Sequence, residues 1–442
     1  MFKTLLVNSM LILFLISCKE VDKSTYEGKT LSPKWYHETM TQVTDVIIHD
    51  ILSPPVASRV YSYVTLAGYE ALVFQSDSLP TNAGLFAGLS PFPKPEEGKD
   101  YSFPVASFTA MLKVAKSQTF TLEKYDEFEK SIYKQFEEMG IPAGVMERSK
   151  DFGEKIADHV IQYAKGDNYL QTRGLRYTVK NEEGKWVPTP PQYGDAMEPY
   201  WPTIRPSLMD SAGQFPPAPV IKYSKESGSP FQKEVREVYE KVKNLTEEEK
   251  AIAWFWDDNA FVMNVQGHVT FANKKMTPGG HWLAITRTLC ENKKASLFQS
   301  SRAYMAVATA LHEGFISSWH EKYKSEKVRP ETVINAEIDP NWEPFLQTPP
   351  FPEYASGHST ISSASAEVLT AFFGDNVAFT DSTEHKYGHG VRKFTSVRQA
   401  ATECSYSRLY GGIHYRSGCE EGQAAGIKIG QFVVNRLKIM TK

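Results

Sequence analysis

Three short clusters in the last half of the chain carry side chains that can act on one small anion. In the first, Lys322 precedes the pair Arg329-Pro330. Lys322 closes a long helical pattern over 300–324, with Trp319 on the same helix face three residues earlier. Pro330 keeps Arg329 out of the helical region, so a cation leaving a helix and a second on an extended turn can converge. In the second cluster, prolines 349, 350 and 352 hold the approach to Phe351-Pro352-Glu353-Tyr354-Ala355-Ser356-Gly357-His358 extended, and a helical pattern starts at Ser359. Ser356 and Gly357 therefore stand at a helix N-terminus, where free amides bind anions and glycine permits close approach. His358 beside them titrates near neutral pH and can pass protons. In the third, Ser407-Arg408 leads through the glycine pair 411–412 to His414, and the tight turn folds that imidazole back toward Arg408. Each cluster alone is ordinary: cations at a helix end serve solvent and the dipole, and a serine N-cap with a nearby histidine is common. Together, Lys322, Arg329 and Arg408, the Ser356 hydroxyl, the Gly357 amide and two histidines suit a dense oxyanion such as phosphate or vanadate.

The three clusters, in this order and spacing, resemble the signature of the type-2 phosphatidic acid phosphatase and vanadium haloperoxidase superfamily. The likeness runs from about residue 34 to the C-terminus. It includes Pro54-Pro55-Val56-Ala57-Ser58-Arg59, Tyr69-Glu70-Ala71 and Trp254-Phe255-Trp256-Asp257-Asp258-Asn259. The resemblance implies two helical-bundle halves and vanadate as cofactor. It implies that His414 bonds the vanadium, and that Lys322, Arg329, Ser356, Gly357 and Arg408 hold the oxyanion. His358 would then handle the proton, Lys322 polarise hydrogen peroxide, and a halide attack the peroxide to give hypohalous acid. Trp319 and Phe351 match the two aromatic positions beside vanadate in chloroperoxidase-like members; as aromatics at helical spacing they also suit plain core packing. The chain looks most similar to exported bacterial iodoperoxidases. Two positions depart from the pattern: Ala355 replaces a usual proline, and Gly418 stands where an aspartate usually follows the histidine by four residues. Glu420 or Glu421 is a possible substitute for that aspartate. Asp257 or Asp258 is expected behind the site, bracing an arginine, Arg408 foremost, because converging cations need a carboxylate.

The same pocket serves another chemistry. In an acid phosphatase, His414 would attack phosphorus and His358 protonate the leaving oxygen. A third reading is an oxyanion-binding lipoprotein that has lost catalysis, which Gly418 alone favours. Lipid phosphatases of the superfamily are usually polytopic, soluble acid phosphatases much shorter, and this chain is neither.

The elements that must position the clusters read as mainly α. Helical patterns cover 35–51, 56–72, 122–139 and 145–164, with a Thr246/Glu249 capping box ahead of 252–256. Two halves are expected, 34–245 and 246–442, with every catalytic residue in the second. Nine prolines fall in the excursion 177–223, which is either a functional lid or a structural wrap. A small β-hairpin is expected inside it, pairing 177–179 with 185–187 across the turn 181–184.

The chain has 442 residues, 41% hydrophobic and 23% charged, with a net charge of −3, which argues against a nucleic-acid partner and against wholesale disorder. Residues 1–17 read as a secretory signal too short to span a bilayer. Leu15-Ile16-Ser17-Cys18 resembles a lipobox, which implies a lipid on Cys18, a polar tether over 18–33 and a place in the cell envelope, at the outer membrane or facing the periplasm. Membrane contact is expected only through that lipid. Of the remaining cysteines, Cys404 and Cys419 either pair or join Cys290 as buried thiols. No spacing of the zinc-binding kind appears.

Overall fold

The structure, a computed structural model, describes residues 23–439 except 77–78, 261 and 267. The signal sequence, the lipobox and Cys18 lie outside the described residues. Fifteen helices and two antiparallel strand pairs are present among those described. The first half holds α1 (Ser24–Thr30), α2 (Lys34–His49), α3 (Pro54–Val73), α4 (Phe103–Gln118), α5 (Asp126–Glu138), α6 (Ala143–Lys165) and the single turn α7 (Tyr169–Thr172). α8 (Pro230–Lys243) closes the first half, and the second holds α9 (Glu247–Phe255), α10 (Pro278–Asn292), α11 (Leu297–Ser325), α12 (Pro330–Glu337), α13 (Gly357–Phe373), α14 (Val397–Tyr410) and α15 (Arg416–Arg436). No helix among the described residues is long and apolar enough to cross a membrane.

Local sequence chemistry explains where these helices start. Ser53 caps α3 ahead of Pro54 and Pro55, which suit a first turn because their missing N–H would be unpaired there. Thr246 and Glu249 form the capping box of α9, and Ser296 with Gln299 forms another on α11. α11 is buried along nearly its whole length and packs against both α3 and α13, so the main apolar cluster runs through the two halves, with a second one under α8 and α12. α13 lies on α15 at backbone contact: a Cβ added at Gly426 would stand 2.2 Å from the Thr360 carbonyl oxygen. This contact holds the Ser356-Gly357-His358 end of α13 in place.

Two expectations are corrected. The segment 18–33 is not wholly a tether, because 24–30 folds as α1 and buries Tyr26 in the core. The hairpin within the excursion does not form. Lys185 instead pairs with Lys327, and the Trp186 amide donates to the Glu326 carbonyl at 2.7 Å. Tyr177 and Lys180 both bond the Glu326 carboxylate, so the would-be strands are claimed by the chain leaving α11. Strands form elsewhere: β1 (Val262–Gln266) with β2 (Val269–Asn273), and β3 (Phe379–Asp381) with β4 (Arg392–Phe394), in register Phe379↔Phe394. The excursion wraps α11. The Glu313 carboxylate accepts from the amides of Ser207, Leu208 and Met209, and the Met197 carbonyl accepts from Trp319 Nε1 and Tyr323 Oη. The cysteines at 290, 404 and 419 are free and buried.

Candidate active site

The three clusters converge on one cavity, with Lys322, Arg329 and Ser356 buried beside it rather than on its wall. Its wall includes Trp319, Phe351, Gly357, His358, Arg408 and His414, with Pro54 and Met197 contributed by the first half. Lys322, on the last turns of α11, is fully buried and donates to the carbonyls of Pro352 and Glu353, both at 3.0 Å. Arg329 takes the extended conformation expected before Pro330. It is fully buried and donates to the carbonyls of Phe351 at 2.8 Å and Ile413 at 2.7 Å. Phe351 lies between these two cations, with Lys322 Nζ and Arg329 Cζ each 5.0 Å from its ring centre, and it packs on Trp319 at 4.9 Å. The two aromatics thus both pack and line the cavity. Gly357 brings the α13 N-terminus against Trp319: an added Cβ would lie 3.2 Å from the indole. Ser356 caps α13 by accepting from the Ser359 amide, which leaves its own hydroxyl proton available to an oxyanion. Gly412 has φ +75°, a conformation glycine adopts without strain, and this turn delivers His414 into the pocket.

His414 has a defined tautomer. Its Nδ1 stands 2.8 Å from Glu353 Oε1 and must donate there, so Nε2 carries the lone pair; Arg329 Nη1 lies 3.2 Å from that nitrogen. Glu353 lies within the second cluster, where nothing in the sequence assigns it this role. Its position two residues before Ala355 in a proline-rich approach carried no signal of its partner, which is 61 residues away. Neither Glu420 nor Glu421 takes the place of the aspartate missing at 418. Glu420 faces Tyr406 and Arg416, and Glu421 accepts from the Ala218 amide. With Glu353 on His414, Gly418 no longer favours a catalytically lapsed protein.

The expected bracing of Arg408 by Asp257 or Asp258 is also corrected. Arg408 Nη2 donates to the Trp256 carbonyl at 2.6 Å and lies 3.5 Å from that of Ala253, while Nε donates to Ser407 Oγ. The exposed carbonyl ends of α9 thus offset the guanidinium, as helix C-termini do for cations. Asp257 is drawn instead to Lys275 at 2.6 Å, and Asp258 to His281 at 3.0 Å. His281 donates its other nitrogen to Asp381, also at 3.0 Å, and its ring stacks on Trp256 at 4.6 Å. Burial opposes a charge on His281, but the carboxylates of Asp258 and Asp381 outweigh it and hold the imidazole protonated well above its ordinary range. Asp258, His281 and Glu384 present ligand atoms within 4.8 Å of one another. The imidazolium itself supplies the positive charge in that cluster. Asp258 still borders the cavity and so lies behind the site, though bonded differently than expected.

The electrostatics call for an anion. Burial, and then the neighbouring Arg329, push the Lys322 ammonium well below the usual lysine range. Burial brings Arg329 down to about 10. His414 is held well below the ordinary imidazole value by burial and then by Arg329, Lys322 and Arg408. His358 is lowered in the same direction by burial and then by Arg408 and His414. Arg329 Nη2 and His358 Nε2 are buried with no hydrogen-bond partner. Orphaned buried polar atoms are rare and ask for a ligand. A compact oxyanion supplies the acceptors and the negative charge that relieve every one of these effects, so the residues present fit vanadate or phosphate.

Comparison with known proteins agrees with this geometry. A family model described as the VCPO second helical-bundle domain matches residues 302–442. The crystal structure of a bacterial vanadium-dependent iodoperoxidase is 41% identical, with TM-score 0.87, covering 93% of this chain and 98% of that one. A bacterial vanadium-dependent chloroperoxidase in its holo form is 18% identical, with TM-score 0.66, covering 88% of this chain and 93% of that one; it shares the fold. No curated protein matches. Helical architecture, converged clusters and full-length likeness together define a vanadium-dependent haloperoxidase, and the chain belongs to that family.

Proposed function

We propose that the protein oxidises halide, iodide foremost, with hydrogen peroxide to hypohalous acid, using vanadate held by Lys322, Arg329, Ser356, Gly357, Arg408 and His414. The observation that carries this reading is the group of buried, mutually repelling cations and orphaned polar atoms gathered at the pocket. The full-length likeness to an iodoperoxidase supports the choice of halide.

The roles of the residues follow from their bonds. Vanadate, when bound, supplies a Lewis-acid centre that activates hydrogen peroxide toward a halide. His414 presents its Nε2 lone pair to that centre, oriented through Nδ1 by Glu353. Lys322, Arg329 and Arg408 neutralise the oxyanion, and their bonds to fixed carbonyls keep them in place without reorganisation. His358 is held neutral with an unpartnered Nε2, so it can accept a proton from incoming peroxide and return it to the departing oxygen. Trp319 and Phe351 form an apolar wall where a large, polarisable halide loses little by shedding water. Asp258 supports the site from behind through His281.

The test is the purified protein with peroxide and iodide, with and without added vanadate, beside a phosphate-ester assay. Vanadate-dependent iodide oxidation supports the reading. Ester hydrolysis without it returns the site to the acid phosphatase alternative, whose phosphate fits the same donors. We further propose export and lipid attachment at Cys18, which intact-mass measurement of the envelope-extracted protein checks.

A further inference from the structure

We propose that Glu353 is the positioning residue of His414, and that Gly418 is the vacancy that admits it. Glu353 has no exposed surface, and its Oε1 accepts from both His414 Nδ1, at 2.8 Å, and the Tyr415 amide, at 3.3 Å. Its Oε2 stands 3.5 Å from Lys327 Nζ, and Lys327 in turn pairs with Glu234 at 3.3 Å. Two donors hold Oε1, and Lys327 lies beside Oε2 as a counter-charge without a hydrogen bond, so the carboxylate fixes the imidazole rather than following it. Its backbone is fixed as well, because the Glu353 amide donates to the Lys327 carbonyl at 3.0 Å.

Gly418 shows why this arrangement is exclusive. A Cβ there would stand 2.0 Å from Glu353 Oε1 and 3.0 Å from Cδ. Any side chain at 418 would occupy the space the carboxylate needs. An aspartate at 418, with its carboxyl oxygens two bonds beyond that Cβ, can reach the same space. Position 418 and position 353 are thus two routes to one carboxylate site beside His414, and this chain uses the second. The first turn of α15 is tied to the same place, since the Ser356 amide donates to the Gly418 carbonyl at 2.9 Å. The carboxylate, the capping serine of α13 and the start of α15 form one unit around the imidazole.

The inference rests on His414 facing the bound oxyanion, and its test separates the two. In the anion-free protein, ¹⁵N NMR of His414 is expected to show Nδ1 protonated and Nε2 unprotonated. In Glu353→Ala that preference is lost, and vanadate affinity, read by calorimetry without turnover, falls by about 10–100-fold, as for other partners of metal-bound histidines. Glu353→Gln, whose amide oxygen still accepts from Nδ1–H and the Tyr415 amide, keeps the tautomer and loses less. Gly418→Asp alone sets two carboxylates in one place and also lowers affinity. Glu353→Ala combined with Gly418→Asp is expected to regain most of the loss and the Nδ1–H tautomer. A merely structural role would not produce that rescue. The proposal is overturned if Glu353→Ala keeps wild-type affinity and tautomer, or if the double variant binds no better than Glu353→Ala. A wild type that shows the tautomer and binds vanadate but oxidises no halide would refute the peroxidase reading and leave this one standing.

Discussion

Glu313 and its neighbour His312 offer a test of the wall built by the proline-rich excursion. Glu313 is wholly buried on α11 and accepts from the amides of Ser207, Leu208 and Met209 at 2.6, 3.0 and 3.1 Å. Burial raises its pKa from 4.5 to about 7, against the pull of those three amides. A carboxyl whose folded pKa exceeds its unfolded value binds its proton more tightly in the fold. The stability it contributes is full below pH 4.5 and lost as pH rises through about 7. At about 1.4 kcal/mol per pH unit, that span amounts to roughly 3 kcal/mol. His312 acts in the opposite sense. Burial lowers it to about 4, so its contribution is full above 6.5 and lost as pH falls. His37 behaves as His312 does. In the wild type these slopes partly cancel between pH 4.5 and 6.5. Glu313→Gln removes the carboxyl's share and also sets an amide NH₂ against a backbone N–H, which adds a pH-independent cost of about 1–3 kcal/mol. Denaturant unfolding of both proteins at pH 4.5, 5.5, 6.5 and 7.5 isolates the effect. The stability difference between wild type and variant should shrink by roughly 3 kcal/mol from the lowest pH to the highest. A difference that stays constant across the series refutes the argument.

Four further outcomes are expected. His414→Ala should abolish vanadate binding and halide oxidation, whereas His358→Ala should keep binding and lose about 10²–10⁴ in turnover; calorimetry and a peroxide–iodide assay separate the two. Arg408→Ala should weaken the oxyanion by about 2–5 kcal/mol, measured as a vanadate dissociation constant. Vanadate at 100 times its dissociation constant should stabilise the protein by about 2.7 kcal/mol, with phosphate competing, and the resulting thermal shift should vanish in His414→Ala. Gly426→Ala should cost about 1–3 kcal/mol in unfolding free energy, because its new Cβ meets the Thr360 carbonyl oxygen at 2.2 Å and forces α15 off α13.

Much of the site was readable because its residues carry local signals. Ser356 before a helical run is a cap, Arg329 before a proline is extended, and Gly412 permits the turn that aims His414. Each follows from the backbone preferences of a few adjacent residues, and each is met in the structure. The helical character of the chain was readable for the same reason, since apolar periodicity and capping boxes act within one element.

Partner choice across the fold was not readable. An aspartate after α9 has no local preference between Arg408, Lys275 and His281; which it meets depends on where β3 and α10 bring their charges. Lys185 and Trp186 have the composition of a hairpin arm, yet the chain leaving α11 offers its backbone first. Tyr26 sits in a polar stretch and is buried only because the α-helical core accepts it. The carboxylate on His414 makes the division plain. Sequence alone determined that an imidazole would reach the pocket and that the usual aspartate was missing. Only the packing of α15 against the approach to α13, with Gly418 leaving room, decided that Glu353 would stand in its place.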